Sequence, residues 1–180
     1  MKKVFLLLIV AVMAISLTAQ EEVGKGMWLG GTFGFSLGDN GGDDISSYTI
    51  GPEWGMMLND DFGAGVNLIF ASEDFGGSKQ DVWQVTPFVR YYKGVGDRFK
   101  FFADGGFTVG GGDTSSLFQI GVRPGMQYWF NSDWSMAAKL GFLGYTKATL
   151  QKDTPNEYDY KNFELDMDMS EINFSLYYHF

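Results

Sequence analysis

The sequence predicts an all-β fold, an eight-stranded antiparallel up-and-down β-barrel of the transmembrane kind. Three observations predict it. Apolar residues alternate with small or polar ones along most of the chain, the period of a strand with two unlike faces. The 180 residues include 25 Gly and 17 Phe, a composition of strands and turns. Short turns also alternate with long connections, as they do when an even number of strands passes up and down through a membrane.

Residues 1–20 come first and stand apart. Lys2 and Lys3 form a positive start, an uncharged apolar run follows from Val4 to Leu17, and Thr18-Ala19-Gln20 offers small residues before Glu21. This is the pattern of a secretory signal peptide, and the run is shorter than the roughly 20 residues a spanning helix needs. The barrel domain is expected over residues 21–180.

Eight alternating segments fill that domain. The first (27–37) puts Leu29, Phe33 and Leu37 on one face and Trp28, Gly30 and Thr32 on the other; the second (48–58) sets Tyr48, Ile50, Pro52 and Trp54 against Thr49, Gly51 and Glu53. The third (62–70) opposes Phe62, Val66 and Phe70 to Gly63, Gly65 and Asn67, and the fourth (83–91) opposes Trp83, Val85 and Val89 to Gln84, Phe88 and Arg90. In the fifth (99–109), Phe99, Phe101 and Phe107 face away from Lys100, Phe102 and Asp104. The sixth (118–130) separates Phe118, Ile120 and Val122 from Gln119, Gly121 and Arg123. The seventh (134–144) gives Trp134, Met136, Leu140, Phe142 and Gly144 to the apolar face and Ser135, Ala137 and Lys139 to the other. The last (172–180) gives Phe174, Leu176, Tyr178 and Phe180 against Ser175, Tyr177 and His179.

No position on the apolar faces is charged. Charge falls on the Gly-rich faces, at Glu53, Arg90, Asp104, Arg123 and Lys139, near mid-strand. Such groups fit a packed lumen, so the apolar faces are assigned to lipid. Asn59-Asp60-Asp61, Gly94 to Arg98 and Asn131-Ser132-Asp133 make tight turns. Residues 38–47, 71–81, 110–117 and 145–171 read as long loops. Aromatics near the tight turns, Phe62, Tyr91, Phe99, Tyr128, Phe130 and Trp134 among them, form one expected girdle; Tyr48, Phe70, Trp83 and Phe118 form the other. Pro52, Pro87 and Pro124 stand at one depth in alternate strands. A proline lacks the N–H a ladder requires, so each is expected at a bulge or a locally broken pair.

With its leader, its strands, its in-strand prolines and a last strand ending Asn173-Phe174-Ser175-Leu176-Tyr177-Tyr178-His179-Phe180, the sequence resembles the small eight-stranded outer-membrane barrels of the OmpA and OmpX type. More closely it resembles the barrel-only, porin-like members of that superfamily. The resemblance covers residues 26–180. It implies location in the outer membrane, contact with outer-membrane lipid, and recognition by the barrel assembly machinery through Phe174, Leu176, Tyr178 and Phe180. No wall-binding domain is expected after the barrel. The family includes anchors, adhesins and enzymes, so the resemblance leaves the role open.

An eight-stranded barrel is only wide enough to be filled by its own side chains. Glu53, Arg90, Asp104, Arg123 and Lys139 are therefore expected to form a lumenal ion network, with Phe88 and Phe102 helping to close the interior. That reading gives a non-enzymatic barrel acting through structure or surface contacts. A narrow porin-like passage is the alternative, with the same charges lining a path. A lipid-modifying enzyme would use a Ser and a His, but Ser175 and His179 lie about 13 Å apart along a strand, and His179 is expected to pack at the interface. A soluble lipocalin-like barrel would need the reverse assignment of faces.

Two loops bear on partners. Asp39-Asn40-Gly41-Gly42-Asp43-Asp44 has some features of a calcium loop but lacks the bidentate Glu, and it reads as a solvated loop. Phe163, Leu165, Met167 and Met169 alternate with Glu164, Asp166 and Asp168, and the phase flips before Glu171. These residues are expected to continue strands seven and eight as a protruding hairpin with a bulge at the flip, an edge to which a surface protein partner could add a strand. No catalytic residue, metal site or cofactor is assigned. With no Cys there is neither a disulfide nor a thiolate ligand, and a net charge of -9 argues against nucleic acid.

Overall fold

Two asparagines set the hairpins at one end of the molecule. In the computed structural model, Asn59 Oδ1 accepts hydrogen bonds from the backbone N–H groups of Asp61 and Phe62 at 3.0 and 2.9 Å. Asn131 Oδ1 does the same for Asp133 and Trp134, both at 2.8 Å. An Asx turn of this kind replaces part of the backbone's own hydrogen bonding and lets the chain reverse at once. The structure describes residues 26–39, 44–75, 78–96, 98–151, 155, 157–166 and 173–180. The signal-peptide assignment, most of the calcium-like loop, and Met167 and Met169 lie outside the described residues.

The strands are β1 (Met27–Asp39), β2 (Asp44–Met57), β3 (Phe62–Phe75), β4 (Ser78–Gly94), β5 (Phe99–Gly112), β6 (Ser115–Trp129), β7 (Trp134–Lys139), β8 (Phe142–Leu150), β9 (Tyr158–Asp166) and β10 (Asn173–His179). All pairings are antiparallel, and each of β1 to β6 pairs with the next in sequence. β7 and β8 together form the seventh staved strand against β6, and β9 and β10 the eighth. Closure comes from β1 on β10: Met27 and Phe180 exchange backbone hydrogen bonds at 3.1 and 3.0 Å. The result is a closed eight-stranded antiparallel barrel with no helix among the described residues.

Several strands run further than the alternation predicted. Residues read as loop, such as Ser46, Ser47, Asp74 and Gln80, pair across β2, β3 and β4. Beyond the membrane both faces of a hairpin meet water, so the apolar–polar contrast stops while the backbone ladder continues.

Pro52, Pro87 and Pro124 each coincide with an interrupted ladder, in two different ways. Pairing of β2 with β3 lapses between Ile50↔Phe70 and Glu53↔Asn67 and resumes in the same register. Pairing of β4 with β5 lapses likewise between Val85↔Val109 and Phe88↔Gly106, where the Thr86 and Thr108 hydroxyls bond at 2.8 Å. These two are broken pairs. At Pro124 there is a true bulge: Gly125 faces Lys139 and Val122 faces Leu143, so Arg123 and Pro124 oppose Leu140, Gly141 and Phe142. Gly141 has φ 145°, a conformation L side chains rarely adopt, and Leu140 N–H reaches Pro124 O at 2.9 Å.

The bulge corrects one part of the facing assignment. Trp134 and Met136 point outward as expected, but the extra residue reverses the phase above it, and Phe142 and Gly144 point into the lumen, buried. Leu143 and Tyr145 take the outward positions, beside Leu165 and Phe163 of β9. Elsewhere the faces are as predicted: Leu29, Phe33, Phe70, Trp83, Ile120 and Leu176 are exposed outward, and Trp28, Phe88, Phe102 and Tyr177 are buried inside. Near the tight turns, Phe62 with Tyr91, Tyr128 with Phe130 and Trp134 with Tyr178 form ring contacts at 5.1, 5.6 and 5.2 Å, which is the expected girdle.

The core is the lower half of the lumen, where Trp28, Phe88, Tyr92, Phe102, Ala137 and Tyr177 pack together. Inward glycines make the room. A Cβ on Gly55 would meet the Trp28 ring at 2.0 Å, and one on Gly125 would meet the Phe102 ring at 2.3 Å. The large rings and the missing side chains are complementary, and this is how a narrow barrel reaches interior packing density.

Candidate functional site

The hairpin register places Arg90 directly across from Asp104 on the inward face. The contact is bidentate: Arg90 Nε donates to Asp104 Oδ1 at 2.6 Å and Nη2 to Oδ2 at 2.8 Å. From β2, two strands away, Glu53 joins, its Oε1 accepting from Arg90 Nη2 at 3.0 Å and from Trp28 Nε1 at 3.2 Å. Lys139 completes the cluster, with Nζ 2.8 Å from Glu53 Oε2 and 3.7 Å from Asp104 Oδ2. Arg90 is 0% exposed, and its guanidinium lies 4.2 Å from the Phe102 ring centre and 5.0 Å from that of Phe88. Two anions and two cations thus share a largely buried site, a geometry in which each charge depends on its partner.

Four of the five expected network members therefore meet: Glu53, Arg90, Asp104 and Lys139. Arg123 does not. It also lies directly opposite Asp104, on the other side, but both Asp104 oxygens are taken by Arg90. Arg123 turns toward the long-connection end instead. Its Nη2 donates to Thr108 Oγ1 at 3.0 Å and Gln119 Oε1 at 2.9 Å, and its guanidinium lies 4.7 Å from the Phe142 ring centre. From there hydrogen bonds continue up the wall: Gln119 Nε2 donates to Thr146 Oγ1 at 3.2 Å, and Thr146 Oγ1 to Glu164 Oε1 at 2.6 Å.

Below the ion cluster a second set of polar groups was not singled out from the sequence. Arg90 Nη1 contacts Tyr92 OH, which donates to Gln127 Oε1 at 3.1 Å. Gln127 Nε2 donates to Ser135 Oγ at 2.7 Å, and Ser135 Oγ lies 2.7 Å from His179 Nε2. His179 therefore points inward, buried, with Trp129 at 5.8 Å, and does not face the interface as expected. Ser175 bonds to Thr32 at 2.6 Å, away from His179. Ser135 is 0% exposed. The signal for this chain was present in the inward phase of Gln127, Ser135 and His179, but their mutual distances depend on barrel closure.

Above the ion cluster, on the side away from the tight turns, lies a cavity of about 390 Å³. Asp104, Lys139 and Phe88 line its floor side. Thr49, Asn67, Gln84, Gln119, Arg123 and Asn173 are among its polar walls. Phe163 and Leu165 stand elsewhere, on the outer wall level with Tyr145 and Leu143, with the Lys147–Lys161 pair next toward the loops. β8 lies against β6 as far as Leu150↔Ser115, so the expected protruding hairpin is a continuation of the barrel wall. Among the described residues the outer edge of β9 pairs with no strand. Outward residues are odd-numbered at Phe163 and Leu165 and even-numbered at Phe174 and Leu176; the bulge expected before Glu171 lies outside the described residues. Among the described residues no group of acidic and His side chains is arranged to hold a metal.

A family model described as "Outer membrane protein beta-barrel domain" matches residues 5–180. No curated protein sequence matches the chain. Among solved structures, OmpT, an outer membrane protein of Vibrio cholerae folded in vitro, is similar at 16% identity, covering 88% of this chain and 53% of that one, with a TM-score of 0.36. The chain spans about half the length of that protein.

Proposed function

Because the chain belongs to the outer membrane protein β-barrel domain family, and so resides in the outer membrane, we propose that it is a non-enzymatic barrel acting through structure or through contacts of its acidic loops, with its lumen plugged by side chains. The observation that carries the proposal is the combined layer of ion cluster and aromatic rings. Arg90, Glu53, Asp104 and Lys139 form the layer with Phe88 on its cavity side, and Trp28, Phe102 and Tyr177 fill the space beneath them. Charges held in this way resist an ion's passage, since an entering ion would have to displace a bidentate pair.

Purified barrel in planar bilayers is expected to show no steady conductance steps. Regular steps in the wild-type protein would overturn the plug. One observation favours a second reading, a narrow passage for small solutes: the cavity of about 390 Å³ above the plug is lined by polar groups. In that case the Arg90 cluster is a gate, and conductance appears when it is opened. Surface contact has its own support in β9, whose outer edge presents unpaired backbone groups among the described residues and suits strand addition by a protein partner.

A further inference from the structure

Arg123 is a lumenal cation that the ion cluster does not use. Arg90 and Lys139 answer Glu53 and Asp104, while Arg123 makes no ion pair among the described residues. Its guanidinium is nevertheless held in place. Phe142 lies 4.7 Å from it, the inward turn of that ring being a product of the bulge at Gly141, and both of its hydrogen bonds use Nη2. Nε and Nη1 make no hydrogen bond among the described residues, and Arg123 lines the cavity.

A guanidinium held in this way, with donors at Nε and Nη1 still unused, is suited to charge-assisted hydrogen bonding of an oxyanion. The cavity volume, about 390 Å³, falls within the roughly 300–1,000 Å³ of small-molecule sites. Asp104 and Lys139 at its floor belong to the ion cluster, and its other polar walls are neutral amides and hydroxyls, notably Asn67, Gln84 and Thr49, which pair with hydroxyl groups. We propose that this cavity is a binding site for a small hydroxylated solute bearing one phosphate or carboxylate group, with the oxyanion on Arg123 and the hydroxyls on the amide-lined wall. The site goes beyond the plugged-lumen reading and stands above the floor, so conductance could overturn the plug and leave the site in place.

The test is calorimetric titration of the full barrel in lipid nanodiscs with glucose 6-phosphate, gluconate and glucose. At least one of the two anions should bind saturably, and glucose at least tenfold more weakly. Arg123→Gln should weaken the anion at least tenfold, while Arg98→Gln, at a tight turn outside the cavity, leaves it unchanged. Heat-modifiable gel mobility reports the folding of each variant. Arg123→Lys, which keeps the charge and removes the ring-backed guanidinium, should weaken binding severalfold. The proposal is overturned if neither anion saturates, if glucose binds as tightly, or if folded Arg123→Gln binds like the wild type; full affinity in Arg123→Lys overturns the part assigned to the guanidinium.

Discussion

At the scale of single residues, Arg90 is the side chain on which the interior depends. It contacts both buried carboxylates, and removing it leaves Glu53 and Asp104 with Lys139 alone. Arg90→Ala should therefore destabilise the barrel by about 3–5 kcal/mol, the cost of uncompensated buried charge. Urea unfolding in lipid vesicles measures it, and an unchanged midpoint would show the cluster to be uncoupled from folding. Truncating Arg123 strands no carboxylate and should cost less. The Arg90–Asp104 pair was legible in the sequence, because the Gly94–Arg98 turn sets the register that brings them together. The exclusion of Arg123 was not legible. Two arginines flank Asp104 at equal register, and only the full geometry decides which one occupies both oxygens.

At the scale of elements, the prolines show how local chemistry can be read correctly while its outcome is left open. A missing N–H requires a break in the ladder, and all three in-strand prolines have one. Whether the break adds a residue depends on the neighbouring strand. Beside Pro124 that neighbour supplies Gly141, whose φ of 145° lets β7 and β8 absorb an extra residue. Gly141→Ala places a Cβ in this conformation and should cost about 1–3 kcal/mol, read by the same unfolding measurement. A loss near zero would mean that the bulge relaxes freely. The reversal of Phe142 follows from this single insertion, since shifting a strand by one residue exchanges its faces. Alternation assigns a face only as long as nothing is inserted.

For the whole molecule, the outward band is what holds the barrel in lipid. Ile120 is 52% exposed at mid-strand, between Phe118 and Val122 on the same face. Ile120→Arg should cost roughly 2–4 kcal/mol if that band meets the bilayer midplane, and indifference to it in vesicle refolding would place the band outside the hydrocarbon. The sequence by itself determined the strand faces outside the bulge, the tight turns, the girdle and the sign of the interior, because each of these follows from a period of two and from the chemistry of Asn, Gly and Pro at short range. Tertiary structure alone decided that Glu53 reaches over β3 to Arg90, that His179 joins a buried chain through Ser135, and that Arg123 is left facing a cavity. Closing a sheet into a barrel brings together residues from non-adjacent strands, and their distances depend on stagger, bulges and the volume of the rings between them.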